Sequence, residues 1–434
     1  MFELFSCVEC VVLNACYSEV QARAIYEHVS CVIGMSRPIG DRAAKDFAVA
    51  FYDGLAAGRD YGEAYKMGLS GMANDGEVGT PVLLWDETRE RQVAKELEEP
   101  GGRMAIESRF YVDRPPCEAD IEQKILRSGA LIRIKGPQEF GKSSLMAKAI
   151  SKAEEAGAKI VGINFRELDF DSMGSLNKFL AYFCDLVTFE LGFESQLDER
   201  RAEKLGYKKA CGDYFQSVLL PQIPNLLVLE LDEVDILLDS HQEKTWIVEF
   251  FSMLRTWHDD KMKANAQWQK LRLVLVHSRH IDTLPERQSP FNVGDEMELS
   301  EFSEPQILAL AKLHGVSEGT ARELMGLVGG HPQLVRQGLY AIARQQVSLE
   351  QLMENGATEA GLYGRHLEQM RRRLDGNSDL KAAMRQVLAA KDVEVRIDLA
   401  HKAMLRSLGL VVFQRNGVRV ACELYRQYFL DLWK

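Results

Sequence analysis

The sequence predicts an α/β protein: a parallel sheet followed by helical segments, with a smaller α/β unit ahead of it. Three observations predict it. Between residues 110 and 299 short apolar β-type runs alternate with amphipathic helices, the pattern of a parallel sheet covered on both faces. One run opens directly into GPQEFGKS at 136–143, a loop with glycine at each end that leads into a helix. After residue 300 the apolar spacing turns helical and closes on a short β-type pair, GLVVFQRNGVRVAC.

Composition narrows the function classes. The chain has 434 residues, 46% hydrophobic and 27% charged, which is ample material for several cores. No uninterrupted apolar run reaches the ~18–20 residues that span a bilayer, so no membrane partner is expected. The opening MFELFSCVEC lacks the basic stretch of a signal peptide. The eight cysteines are scattered without paired zinc spacing, and reduced thiols in a cytoplasm are the expectation. The net charge of -11 weighs against a dedicated nucleic-acid binder, since phosphate contacts need a basic face. The charge is uneven, however. From His331 onward 16 Lys+Arg face 11 Asp+Glu, so this part carries about +5 and the remainder about -16.

Element by element, residues 9–15 read as a buried-type strand, 20–28 as a helix and 31–35 as a second strand. Helices at 43–57 and 61–73 follow, then a strand at 81–85. Three strands make a narrow sheet, and the unit looks like the C-terminal half of something larger. A charged stretch punctuated by proline and glycine follows. The expected division is 1–86, a linker at 87–105, a core at 106–299, a helical lid at 300–360 and a last domain at 361–434.

In the core, ALIRIK at 130–135 is a strand, Gly136, Pro137, Gln138, Glu139, Phe140, Gly141, Lys142 and Ser143 form the loop, and a helix is expected from Ser144 to residue 157. GxxxxGK[ST] between a strand and a helix is the phosphate loop. Glycines let successive N–H groups converge on one phosphate, and the helix N-terminus adds partial positive charge. Lys142 neutralises phosphate oxygens and the Ser143 hydroxyl ligates Mg²⁺. A chance match on a glycine-rich turn is the competing reading, and the flanking strand and helix tell against it. LLVLEL at 226–231 then ends in Asp232 and Glu233. Asp232 suits the hydration shell of Mg²⁺ and Glu233 the polarisation of attacking water; a solvated acidic strand end is the plainer alternative. LRLVLV at 271–276 ends in His277, Ser278, Arg279 and His280; this strand end resembles that of AAA-type ATPases, which place a polar residue there to sense the terminal phosphate, and the resemblance implies Ser278 first and His277 second. Arg279 reads as a surface residue, and two histidines three apart without a third ligand do not make a metal site. ATP and Mg²⁺ are the implied cofactors.

These motifs carry a family likeness. Phe110-Tyr-Val-Asp-Arg-Pro-Pro116, GPQEFGKSSL, LELDEVD, Ser289-Pro-Phe-Asn-Val-Gly294 and Gly329-Gly-His-Pro332 together resemble the bacterial AAA-like domain related to STAND ATPases, from about Ala105 to the C-terminus. The resemblance implies a P-loop NTPase core with a helical lid and a winged-helix C-terminal domain. It also implies Tyr111, Arg114, His331 and Pro332 as candidate contacts of the adenine. Read from the residues alone, Gly329-Gly-His-Pro332 is only a helix terminus. The family's usual Thr after the lysine is Ser143 here, which keeps the hydroxyl, and Ser144 continues the site. No arginine finger can be matched.

The first unit resembles the C-terminal part of a CHAT domain, a caspase-like fold, through Val11-Val-Leu-Asn14-Ala15-Cys16-Tyr17-Ser18, Val32-Ile-Gly-Met35 and Asp41–Phe47 with Phe51 and Tyr52. The resemblance maps the family's nucleophile onto Cys16. A thiolate needs an imidazole within hydrogen-bond reach, and the half that would supply it lies upstream in the family. His28 falls on the intervening helix and is expected to be structural. Cys16 is therefore a vestigial nucleophile, a nucleophile completed by another chain, or a small apolar core residue. The chain is expected to represent a fragment or a shortened gene product.

At the C-terminus, helices at 380–388 and 399–408 precede a hairpin of 410–413 and 418–422 around Asn416-Gly417. Helix, helix, hairpin is a winged-helix pattern, read either as a DNA-binding element or as a packing module that relays the lid position. Arg371-Arg372-Arg373 reads as a solvated helix face. The favoured function is an ATP-binding regulatory switch coupled to the CHAT-type unit, with a protein partner or self-assembly. The alternatives are a winged-helix DNA-binding ATPase and a cysteine peptidase using Cys16.

Overall fold

The structure is a computed structural model, and it describes residues 10–26, 29, 31–57, 59–73, 77–85, 97–168, 174–194, 197, 199–239, 245–260, 267–278, 289–390, 394–415 and 417–434. His28, Arg279, His280 and Asn416 lie outside the described residues. The chain divides into two compact units, Met1–Leu97 and Glu98–Lys434.

In the first unit the strands β1 (Cys10–Val12), β2 (Cys31–Met35) and β3 (Pro81–Trp85) form one sheet in the order β1-β2-β3. β1 runs parallel to β2 and β3 antiparallel to it. β2 is buried along its whole length, as a central strand with both faces covered should be. The helices Asp41–Ala56 and Tyr61–Gly71 cover one face, with Phe47 and Phe51 fully buried between them and the sheet. Gly68 allows that approach, because a Cβ there would meet the Phe47 ring at 2.7 Å.

In the second unit five parallel strands lie in the order β5-β6-β7-β4-β8: β4 (Leu131–Lys135), β5 (Lys159–Asn164), β6 (Leu227–Asp232), β7 (Leu271–His277) and β8 (Asp295–Glu298). Alternate residues enter opposite cores, as the two-residue period requires. Leu227, Leu229 and Leu231 face an aromatic core that includes Phe179, Phe183, Phe215, Phe250 and Trp257. Val228 faces the other, with Ile132, Ile134, Leu145 and Ile150. Each such ring or branched chain contributes ~1.5–3 kcal/mol of burial. β5 and β8 carry weak apolar signals because they are the sheet's edges, with several exposed positions each.

All five strands point their C-terminal ends the same way, and β4 sits between β7 and β8, both later in the chain. The connection leaving β4 therefore crosses β7 and β6 to reach β5, while the one leaving β7 crosses to β8. Connections diverging from adjacent strands open a crevice at the carboxyl ends of the sheet.

Helices Glu304–Leu313, Glu318–Val328, Pro332–Ala343 and Leu349–Asn355 follow. Ser303, Ser317, His331 and Ser348 stand at their N-caps. Gly329 ends a helix with φ +63°, as the sequence predicts, but Pro332 opens the next helix at its first turn rather than stopping one. Helices Gly364–Asp375, Ser378–Ala389 and Leu399–Ser407, an antiparallel hairpin of β9 (Val411–Gln414) and β10 (Gly417–Val420), and a last helix Glu423–Leu432 complete the chain. Part of the expected linker differs from a free connector. Arg103 pairs with Glu230 at 3.2 Å, and the Met104 N–H donates to Ser144 Oγ at 3.1 Å. Among the described residues no helix is long and apolar enough to cross a membrane.

Candidate functional site

The crevice holds a cavity of about 720 Å³ at the carboxyl ends of β4, β5 and β6, walled on one side by loop 136–141 and on the other by the lid and C-terminal helices. That volume is in the range of small-molecule sites.

The loop's shape follows from its residues. Gly141 takes φ +85°, and a Cβ there would lie 3.1 Å from the Arg114 guanidinium. Glu139 takes φ +62°, uncommon for a residue with a side chain and concentrated at functional turns. The helix begins at Lys142, two residues before the expected Ser144, so the lysine and Ser143 occupy its first turn beside the positive helix end. Lys142 Nζ donates to the loop's own Pro137 carbonyl at 2.8 Å. Burial pulls its ammonium below the ordinary lysine range, while the nearby carboxylates of Asp235, Glu233 and Asp232 act in the opposite direction.

Asp232 ends β6, two strands from β4, and still meets the loop helix: Ser143 Oγ donates to Asp232 Oδ2 at 3.0 Å. Asp232 Oδ1 accepts the Glu233 N–H at 2.8 Å, and Glu233 has φ +58°. The Glu233 carboxylate faces Arg166, at the end of β5, with Nη2 to Oε1 at 3.0 Å. Ser278, just past β7, donates its N–H to Asp235 Oδ2 and lines the same cavity. His277 is buried on β7 against Phe291 and does not reach the cavity wall.

Tyr111, Arg114 and Pro332 line the cavity too. Tyr111 donates to Glu118 at 2.9 Å under the Lys148 ammonium, and burial pushes its hydroxyl far above the usual range. Arg114 donates to the Phe140 carbonyl and so braces the loop. His331 is placed differently from the expectation of an adenine contact. It is buried behind the loop, its ring 4.9 Å from Phe140, and is not among the residues lining the cavity. Its Nδ1 accepts the Leu334 N–H, because it serves as the N-cap of the following helix. Burial, with the neighbouring His366, lowers its pKa to about 3.

Glu139, His331 and His366 bring their ligand-type atoms within 4.8 Å of one another. Within this group the His331 Nδ1 is engaged by the Leu334 N–H at 3.4 Å. His366 bridges the loop to the C-terminal helices: its Nδ1 meets Glu139 Oε2 at 2.8 Å and its Nε2 the Tyr425 hydroxyl at 2.8 Å. Burial works against ionisation of Glu139, but the His366 hydrogen bond and the charges of His366, His331 and Arg373 outweigh it and hold the carboxyl below its usual range. Gln138 N donates to the Ser407 carbonyl at 3.2 Å, a second tie between loop and C-terminal segment.

Several residues of the wall carry no motif. Arg166 follows an edge strand that is weak in sequence, and Arg336 points from the lid helix to Glu98 at 3.3 Å. The triplet Arg371-Arg372-Arg373 is not uniformly solvated. Arg371 pairs with Glu359 and Arg372 with Glu368, whereas Arg373 lines the cavity. Only the helical spacing from His366 could have distinguished it.

In the first unit Cys16 is exposed, so it is not a core residue, and its Sγ lies 4.0 Å from the Ile39 carbonyl.

The AAA-like domain family matches residues 99–431. An uncharacterized WD repeat-containing protein of Synechocystis sp. is 26% identical over 366 residues, 77% of this chain, and the chain spans about 30% of that relative's length. Among solved structures, a Walker-type ATPase of Pyrococcus abyssi matches with a TM-score of 0.50 at 16% identity, covering 76% of this chain and 98% of that one. The ORC2 protein of Aeropyrum pernix, solved with ADPNP and ADP, matches with a TM-score of 0.39 at 16% identity, covering 79% of this chain and 98% of that one. The glycine-bounded loop on β4, the acid at the end of β6 and the order of the five strands thus sit within a matched span of about three quarters of the chain, and the protein belongs to the AAA-like domain family.

Proposed function

We propose that this chain is an ATP-binding switch of STAND type that couples its nucleotide state to a CHAT-type first unit. The observation that supports it most is the 3.0 Å hydrogen bond between Ser143 Oγ and Asp232 Oδ2 at the mouth of the phosphate loop. A hydroxyl and a carboxylate at that separation are hard oxygen donors of the kind Mg²⁺ takes, with waters completing its shell. Bound Mg²⁺ would neutralise charge between the terminal phosphates. Lys142 would exchange the Pro137 carbonyl for phosphate oxygens, a gain because a buried ammonium is better compensated by an anion than by a neutral carbonyl. Tyr111 and Pro332, which line the cavity, are read as contacts of the base, and Ser278 as the sensor of the terminal phosphate.

Glu233 is the residue to polarise water. Its ion pair with Arg166 occupies the carboxylate, so turnover requires that pair to part, and the reading favours a nucleotide held for long periods over rapid cycling. The C-terminal helices and hairpin are read as a winged-helix module that relays this state. The helix Leu399–Ser407, which a DNA-binding reading would lay in a groove, ends on the phosphate loop through Ser407. That contact favours the relay over DNA. Cys16 is read as a vestigial nucleophile, exposed and with only a backbone carbonyl, that of Ile39, near its Sγ among the described residues, at 4.0 Å. Self-assembly or a protein partner would receive the signal. The test is calorimetric binding of ATP–Mg²⁺ to the whole chain and to Lys142→Ala. Equal affinity in the two would end this reading.

A further inference from the structure

We propose that Cys10 and Cys31 of the first unit form a redox-active dithiol, a site of thiol–disulfide exchange with a low-molecular-weight disulfide such as glutathione disulfide. The inference is independent of the nucleotide reading, because both thiols lie within Met1–Leu97.

Strand register brings the pair together. Cys10 opens β1, Cys31 opens β2, and the two are direct partners in a parallel pair. Partnered residues on neighbouring strands point to one face of the sheet, with backbones about 4.8 Å apart. That falls inside the Cα separation of about 4.4–6.8 Å that a disulfide requires. The two sulfurs are 3.5 Å apart. Closing the gap to the ~2 Å of a covalent bond asks little of β1, a three-residue strand at the edge of the described sheet.

Separation alone does not select this pair. Cys184 and Cys211, on the helices Leu176–Glu190 and Tyr207–Tyr214 of the second unit, are closer, at 3.1 Å. Both are fully buried in the aromatic core, out of reach of an oxidant in solution. Burial also pushes the Cys211 thiol well up, away from the reactive thiolate. Cys10 is only partly buried, and its hydrogen bond with Cys31 holds its thiol below the usual range, outweighing burial. Cys16 is exposed, but among the described residues its Sγ meets the Ile39 carbonyl rather than a second sulfur.

The exchange balances. The Cys10 thiolate attacks one sulfur of glutathione disulfide, forming a Cys10–glutathione bond and releasing a glutathione thiolate, which takes up the proton Cys10 gave to solvent. The Cys31 sulfur then attacks the Cys10 sulfur, its proton passing to the second glutathione as that thiol leaves. Two protein thiols are oxidised to one disulfide, and glutathione disulfide is reduced to two glutathione thiols. The new bond ties β1, the strand ahead of Cys16, to the buried strand β2. The edge of this sheet then answers to the surrounding thiol poise.

The experiment equilibrates the full chain in buffers of graded reduced-to-oxidised glutathione ratio, quenches with acid, blocks remaining thiols with N-ethylmaleimide in denaturant, and maps the peptides by mass spectrometry. The wild-type chain should yield a reducible cross-link between Cys10 and Cys31, with alkylation lost at both together. Cys184 and Cys211 should stay thiols, and Cys16 should go no further than a mixed disulfide. Cys31→Ala should abolish the cross-link and leave glutathione on Cys10, the intermediate whose resolving sulfur is gone. Cys10→Ala, at the less buried position, should leave Cys31 a thiol. The wild-type map alone decides whether the bond forms, so a variant that fails to fold cannot hide the answer. Cys31 remaining a thiol in excess glutathione disulfide, a wild-type chain that stops at glutathione on Cys10, or a cross-link from Cys31 to any other cysteine overturns the inference. Oxidation of Cys184 and Cys211 ahead of this pair would likewise overturn the argument from access.

Discussion

The phosphate loop and the Cys16 turn are both strand-end turns that a family likeness marks as functional, yet they are built differently. The loop leaves a strand flanked on both sides by parallel neighbours, and each of its reactive groups has a defined partner: Lys142 with Pro137, Ser143 with Asp232, Glu139 with His366. Cys16 lies beyond Cys10–Val12, at the edge of the described sheet, is exposed, and has its Sγ 4.0 Å from the Ile39 carbonyl. A catalytic group needs a rigid surround that fixes its neighbours and its protonation state. The loop has one, and Cys16 among the described residues does not.

Lys142→Ala should break the comparison most sharply. It is expected to lower ATP affinity about a hundredfold, since a desolvated charged donor is lost, and to erase ligand-induced thermal stabilisation. A shift in melting temperature that survives would mean the nucleotide binds elsewhere. Next, Glu233→Gln should keep affinity and reduce phosphate release by about a hundredfold, the scale of a positioned general base. Undiminished release would assign the water to another group.

Acid separates the two units more gently. His331 has its pKa lowered to about 3 and His314 to about 4, both mainly by burial. Each binds its proton in the unfolded chain near pH 6.5 but resists it when folded, so stability is full above 6.5 and declines as pH falls toward those values, by up to about 1.4 kcal/mol per pH unit per group. Denaturation midpoints of the second unit should follow that slope, and His331→Asn, which keeps an N-cap acceptor, should flatten it. An unchanged slope would show that His331 is not the group responsible. Smallest of all, Cys16→Ala should move stability by less than about 0.5 kcal/mol, as surface substitutions do. Peptide cleavage by the wild-type chain that vanishes in this variant would reverse the contrast drawn here.

Much of the site was legible because its signals are local. A strand, a glycine-bounded loop and a helix start are contiguous, so 136–143 could be read from spacing, and Asp232 from the apolar run that ends on it. The helix start was misplaced by two residues because the lysine and serine look like loop chemistry until Gly141 is seen to turn the chain. His331 shows the opposite failure. Its motif suggested a ligand contact, while its position as an N-cap facing Phe140 depends on where the lid helix lands.

The sequence by itself determined the alternation of buried strands and amphipathic helices, the loop and its hydroxyl, and the acid pair, since backbone propensity and two-residue or helical periodicity act over a few neighbours. Only the tertiary structure decided that β6 ends beside Ser143, that Arg166 covers Glu233, and that His366 and Arg373 reach the loop from more than two hundred residues away. Those distances depend on strand order and helix docking, which are set by burial summed over the whole core and leave no trace in any single stretch of residues.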